Sequence, residues 1–127
     1  MLKLSKTNPK DLVKVQTAYG PIWMKVYLDE ESCLAGLEDF HIDERFREFT
    51  YFTHGTQYVI NGEAEITYSD YTTMMTEKRN IKLKEGDLFY MSPGTRIQWN
   101  ILKEPFRLFW TMWPNPKTFT RSVKRKW

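Results

Sequence analysis

Apolar and polar residues alternate along this chain in short runs that end at turn residues. The clearest run covers residues 63–68, where Ala64, Ile66 and Tyr68 fall on one face and the intervening residues are polar. Alternation with a period of two is typical of a strand with one buried face. Similar runs predict further strands over residues 22–27, 47–52, 57–60, 79–83, 87–91, 96–102 and 106–113.

Turn signals separate these strands. Asn61-Gly62 predicts a hairpin between two of them, and Gly20-Pro21 predicts a turn ahead of the first. No segment has a convincing helical period. The pattern therefore predicts an all-β fold, either a sandwich or a closed barrel.

The chain of 127 residues is long enough for one domain with a core of modest size. Pro114 and Pro116 are expected to end the last strand, because proline cannot continue a β-ladder. We therefore expect a single domain with an arm over residues 1–20, a barrel over 22–114 and a basic tail over 115–127. The polar stretch 69–77 is expected to form a long loop that covers an opening of the barrel.

Composition narrows the class of protein. Aromatic residues make up 16% of the chain and glycine is sparse, which excludes a disordered segment of low complexity. The lone cysteine, Cys33, excludes an intramolecular disulfide and suits a reducing compartment. No apolar run is long enough for a signal peptide or a membrane span, so we expect a cytoplasmic protein without membrane contact.

The positive charge of the chain is concentrated at its end. The net charge is +3, and residues 121–127 hold four basic groups and no acid, so the rest of the chain carries −1. We interpret the basic end as a solvated tail. The body has no basic face with interleaved aromatic residues, so we do not expect a nucleic-acid partner.

The segment that begins at Gly86-Asp87 resembles the second conserved motif of the cupin β-barrels. Its first strand ends at Ser92-Pro93-Gly94, and residues 58–67 are similar to the end of the first cupin motif. The resemblance covers residues 45–114 and implies a cupin jelly-roll β-barrel. The chain also resembles the small single-domain cupins of the ethanolamine-utilisation Q branch. This likeness rests on Arg96, Trp99, Leu102, Lys103, Glu104, Arg107 and the run Trp110-Thr-Met-Trp-Pro114.

Cupins usually bind a metal ion through two histidines and a glutamate of the first motif and one histidine of the second. The matching positions of this chain are Phe49, Tyr51, Gly55 and Ile97. A metal site needs several imidazole, thiolate or carboxylate groups that converge, and these residues do not provide them. The resemblance, with these departures, implies a metal-free cupin, and we expect no cofactor.

The strand register that the resemblance implies directs a largely aromatic set of side chains into the barrel. Such a set predicts a pocket for a small organic ligand, whereas the alternative is that these side chains simply fill a small barrel. Arg96 and Arg107 are candidate anchors for a carboxylate or phosphate, unless they pair with Glu104 or Asp87 at the surface. The other candidate ligand-binding residues are Phe49, Gln57, Ile97, Trp99, Trp110 and Met112.

His54 is the candidate general base at the barrel mouth, and Tyr51 is the candidate acid. The alternative for His54 is an exposed loop histidine. We expect a protein that binds a small molecule, and an enzymatic version would be a lyase, isomerase or epimerase that works by proton transfer. A non-catalytic binding or accessory protein of a catabolic pathway or assembly is the second hypothesis. Cupins of this size commonly dimerise, so we also expect a homodimer, with strand 22–27 and the C-terminal segment as candidate contacts.

Overall fold

The structure is a computed structural model that describes residues 2–17, 20–41, 48–70 and 77–117. A short 3-10 turn at Pro9–Asp11 precedes eight antiparallel strands in this part of the chain. The strands are β1 (Val13–Thr17), β2 (Gly20–Asp29), β3 (Leu34–Phe40), β4 (Glu48–Tyr51), β5 (His54–Asp70), β6 (Arg79–Lys84), β7 (Leu88–Met91) and β8 (Thr95–Trp113).

Two long strands, β5 and β8, lie side by side and take part in both halves of the barrel. The first half of β5 pairs with β7 and the second half with β6. The first half of β8 pairs with β4 and the second half with β3, and β2 and β1 extend the sheet beyond β3. The larger sheet therefore contains β1, β2, β3 and β7 with the adjoining halves of β5 and β8. The smaller sheet contains β4 and β6 with the other two halves.

The two sheets meet at a corner at Gly62. The ladder between β5 and β8 shifts register around Asn61 and Glu63. Gly62 has a φ of +88°, and an added Cβ would lie 2.5 Å from the carbonyl oxygens of Lys103 and Pro105. The hairpin predicted at Asn61-Gly62 is therefore wrong. Strand β5 continues through this point, because glycine supplies the left-handed residue that an irregular, bent strand needs.

Side chains from both sheets meet in one core. Val59 and Leu108 come from the larger sheet, and Ile97 and Ile101 come from the smaller one. The alternating strand 63–68 buries Ala64 and Ile66, as its pattern predicts. The all-β fold predicted from the alternation is confirmed.

Most predicted strands agree with the observed ones, but two boundaries are corrected. The predicted strands 96–102 and 106–113 are one strand, β8, which passes Pro105 at the corner between the sheets. The predicted turn at Gly20-Pro21 lies within β2, where these residues pair with Thr17 and Gln16. Proline is tolerated there because it stands at the first residues of the strand.

The structure adds detail to the sequence-based expectations where β5 and β8 end. Strand β8 ends at Trp113, ahead of Pro114, but Asn115 is still buried and its side-chain amide donates to Asp29 at 2.7 Å. Ser69 and Asp70 belong to β5, whereas most of the loop predicted over 69–77 and the basic tail beyond residue 117 lie outside the described residues. No helix in the described part of the chain has the length and apolar character needed to cross a bilayer.

We predict that Gly62→Ala destabilises the fold by about 3 kcal/mol or more, because it combines a left-handed φ with a backbone clash. Gly86→Ala is the matched control, since Gly86 has a φ of +92° and an added Cβ meets nothing within 4 Å. The control should lose only about 1–2 kcal/mol. Urea unfolding of both variants checks this, and equal losses would contradict the role of Gly62 as the corner.

Candidate functional site

The interior around Trp99 is packed with aromatic rings. Trp99 lies 5.2 Å from Phe40, 5.8 Å from Phe106 and 6.4 Å from Phe89, measured between ring centroids. Most of the candidate ligand-binding residues face the interior, as expected. Phe49, Gln57, Ile97, Trp99 and Trp110 are all buried, and Met112 is half-buried.

An open cleft lies between β6 and β7. These strands pair with successive parts of the same edge of β5 and are not paired with each other in the described structure, which leaves a seam between the two sheets. The cleft has a volume of about 180 Å³. We call it the apolar cleft, and its walls include Ile66, Tyr68, Leu83, Phe89, Met91 and Ile97.

A second space of about 300 Å³ adjoins the apolar cleft and has a different character. The two spaces share Tyr68 and Thr95 as wall residues. The second space carries charged side chains, from Asp70, Glu77 and Arg79. We call this space, which lies beside the apolar cleft, the polar mouth. The sequence analysis did not identify Asp70, Glu77 and Arg79 as a site. The strand pattern did place Tyr68 on the same side of its strand as Ala64 and Ile66.

His54 and Tyr51 do not meet. Gly55 and Gln57 of β5 are buried, so His54 lies on the outer face of the larger sheet. There its Nδ1 is 2.6 Å from the hydroxyl of Tyr90, and its ring stacks on Trp113 at 5.6 Å. Tyr51 packs against the core from the inner side. The described structure therefore does not assemble a proton-transfer pair from these two residues.

Comparisons with known proteins identify the fold. No family model matches the chain, and no curated protein matches it. Solved structures do match. A cupin from Methanocaldococcus jannaschii is 18% identical with a TM-score of 0.64, covering 94% of this chain and 97% of that one. KdgF from Halomonas sp. is 19% identical with a TM-score of 0.63, covering 88% and 94%. The EutQ protein of Clostridium difficile is 16% identical with a TM-score of 0.57, covering 87% and 81%.

The chain has the RmlC-like cupin fold. These identities are low, so they show the fold and leave the reaction to be argued from the site. The neighbours carry different names, which agrees with a fold that hosts several functions.

The positions that usually bind metal in cupins are apolar here. Phe49 and Ile97 are buried cross-strand neighbours, and Tyr51 stacks on Phe49 with centroids 6.2 Å apart. Gly55 offers no side chain, and the methyl group of Met91 would lie 2.8 Å from a Cβ built there. No three His, Cys, Asp or Glu residues come together as a metal site within the described ranges. The residues at these positions therefore do not fit a cupin metal.

Arg96 and Arg107 both form ion pairs, but with other partners than Glu104 and Asp87. Arg96 lies 3.0 Å from Glu48 on the outer side of the smaller sheet, so it does not reach into the barrel. Arg107 donates two hydrogen bonds, of 2.7 and 2.9 Å, to the carboxylate of Asp39. These bonds raise the pKa of Arg107 above its ordinary value, against the opposing effect of burial. The Arg107–Asp39 pair therefore belongs to the framework of the larger sheet.

The outer face of the larger sheet carries exposed apolar side chains across three strands. Leu88, Tyr58 and Phe109 lie opposite one another in the register of β7, β5 and β8. Leu88 is 70% exposed. The hydroxyls of Thr56 and Thr111 in the next row lie 2.6 Å apart and satisfy each other. We call this surface the apolar face, formed by Tyr58, Leu88, Tyr90, Phe109 and Trp113.

The outer face of the smaller sheet has the opposite character. It carries Glu48, Arg96, Glu65 and Lys82, in the register of β4, β8, β5 and β6. Charged residues on an outer sheet face are what solvent exposure favours. The contrast sets the apolar face apart from ordinary surface.

Proposed function

We propose that this chain is a metal-independent cupin that binds a small organic molecule in the apolar cleft. The observation that carries the proposal is an apolar cleft that shares the wall residues Tyr68 and Thr95 with a charged space beside it. Ligand sites commonly combine apolar walls with a few polar groups at one end. Phe49 and Ile97 occupy the positions that usually bind metal in cupins. We therefore expect the ligand to be bound by side chains and not through a metal ion.

The size of the cleft limits the ligand. An apolar cavity of about 150 Å³ accommodates benzene. The apolar cleft, of about 180 Å³, therefore suits one ring or a short branched chain. Asp70, Glu77 and Arg79 at the polar mouth suit a polar or ionised end of the same molecule.

Binding is better supported than proton transfer. The titratable residues that line the apolar cleft are Tyr68 and Tyr90, and the Tyr90 hydroxyl lies 2.6 Å from Nδ1 of His54 on the outer face. The enzymatic version would be a lyase, isomerase or epimerase and would need a base within reach of the cleft. Asp70 and Glu77 at the polar mouth are the nearest carboxylates for that role. A cytoplasmic setting suits the free thiol of Cys33.

We also propose that the protein is a homodimer that pairs through its apolar face. Strand 22–27 has neighbours on both edges, β1 and β3, so it offers no open edge to a partner. The apolar face is uncharged, and two copies can meet there around a twofold axis without repulsion between like charges. Burying Leu88, Tyr58 and Phe109 against a second copy would remove exposed apolar surface from water.

We predict that Ile81→Trp fills the apolar cleft and abolishes ligand binding. Ile81 lines the cleft and is 47% exposed, so the larger ring can enter at little cost to the fold. A library of single-ring compounds with one polar group should contain members that raise the wild-type melting temperature by several degrees. Leu102→Trp is the matched control, because Leu102 is 43% exposed and lies outside the cleft. Hits that bind Ile81→Trp as well as they bind the control would contradict the proposed site.

We predict that Leu88→Glu converts the dimer to a monomer, because it places a charge in the centre of a buried apolar contact. Light scattering after gel filtration should give twice the chain mass of 15.3 kDa for the wild type and the single mass for the variant. Leu102→Glu makes the same change outside the apolar face and should remain dimeric. A monomeric wild-type protein at micromolar concentration would overturn the proposal.

A further inference from the structure

Three buried polar atoms inside the barrel have no hydrogen-bond partner in the described structure. They are the side-chain Oε1 of Gln57 and the indole nitrogens of Trp99 and Trp110. These residues are 1%, 0% and 3% exposed. A buried polar group without a partner is costly, by about 1–3 kcal/mol. Three in one small core call for a functional explanation.

Of the three residues, Gln57 lies behind the apolar cleft. It is opposite Phe89 in the register of β5 and β7. Phe89 is also a wall of the apolar cleft. The side chain of Gln57 is thus separated from the cleft by a single layer of side chains.

Met91 is part of that layer. Its sulfur accepts a weak hydrogen bond of 3.6 Å from Nε2 of Gln57, its methyl group packs on Gly55, and its side chain lines the apolar cleft. Methionine is unbranched and adapts its shape readily. A change of its rotamer would join the cleft to the amide of Gln57, at the loss of one weak bond.

We propose that the amide of Gln57 forms an inner subsite that recognises a neutral hydroxyl group of the ligand, reached past Met91. This inference rests on the proposed ligand site in the apolar cleft. The amide offers an acceptor in Oε1 and a donor in Nε2, and a hydroxyl group both donates and accepts. A carboxylate cannot donate to Oε1 of Gln57, and the buried residues of the described structure include no cation to balance its charge. The ligand class is therefore a small phenol or alcohol.

The test compares two probes of similar shape, 4-fluorophenol and 4-fluorotoluene, in 19F NMR titrations of the wild-type protein. The measured quantity is the ratio of their dissociation constants. Gln57→Leu should shift this ratio by about tenfold or more against the phenol, since the hydroxyl loses its acceptor. Gln98→Leu makes the same change on β8 outside the core and should leave the ratio as in wild type.

A second variant tests whether the ligand reaches the inner subsite past Met91. Met91→Ile keeps an apolar side chain but replaces a flexible one with a branched one, so it should also reduce the preference for the phenol.

Gln57→Leu should unfold at the wild-type temperature or above it, because it replaces a polar group whose Oε1 has no partner with an apolar one. This result shows that the variant is folded.

The outcomes separate the two proposals. A loss of the phenol preference in Gln57→Leu, with Gln98→Leu unchanged, supports the inner subsite. Binding of both probes with the same ratio in wild type and Gln57→Leu overturns the inner subsite, as expected if water alone satisfies Oε1 of Gln57, and leaves the apolar cleft standing. Failure of both probes to bind the wild type overturns the apolar cleft as the ligand site and the inner subsite with it.

Discussion

The alternation of side chains along two shared strands is the constraint on which the rest of the structure depends. Strands β5 and β8 lie in both sheets, so one register decides which residues face inward over most of the barrel. A slip by one residue would exchange every inward and outward side chain. At the corner the alternation shifts by one residue, so that Gln57 and Val59 face inward before it and Ala64 and Ile66 face inward after it. Only glycine fits at this point, between the carbonyls of Lys103 and Pro105.

This register explains both the chemistry that the barrel lacks and the chemistry that it offers. It directs Phe49 and Ile97 to positions where cupins usually hold a metal, and it turns His54 outward. The same alternation carries Gln57, Trp99 and Trp110 inward with polar atoms that the core does not satisfy. An interior with apolar walls and a few unpaired polar groups is suited to binding a neutral organic molecule.

Much of this fold could be predicted from the sequence. The alternation of apolar and polar residues that marks each strand is visible within a few consecutive residues. The inward set around Phe49, Gln57 and Trp99 followed from strand alternation together with the cupin resemblance. The outward position of His54 was also within reach, since an inward Gln57 requires His54 to face the other way. The corner was missed because Asn61-Gly62 serves equally as a hairpin turn or a bulge, and only the approach of Lys103 and Pro105 decides between them. The apolar cleft was missed because it depends on how β6 and β7 diverge, which no local pattern records.

The central claim is that this chain binds an organic molecule in the apolar cleft and holds no metal at the positions that cupins usually use for one. The most direct test is to purify the protein without chelators and measure its metal content by plasma mass spectrometry and its intact complexes by native mass spectrometry. The account predicts no stoichiometric metal and a small neutral organic molecule that leaves on unfolding. One equivalent of iron, zinc, nickel or manganese per chain, bound in the barrel, would contradict it.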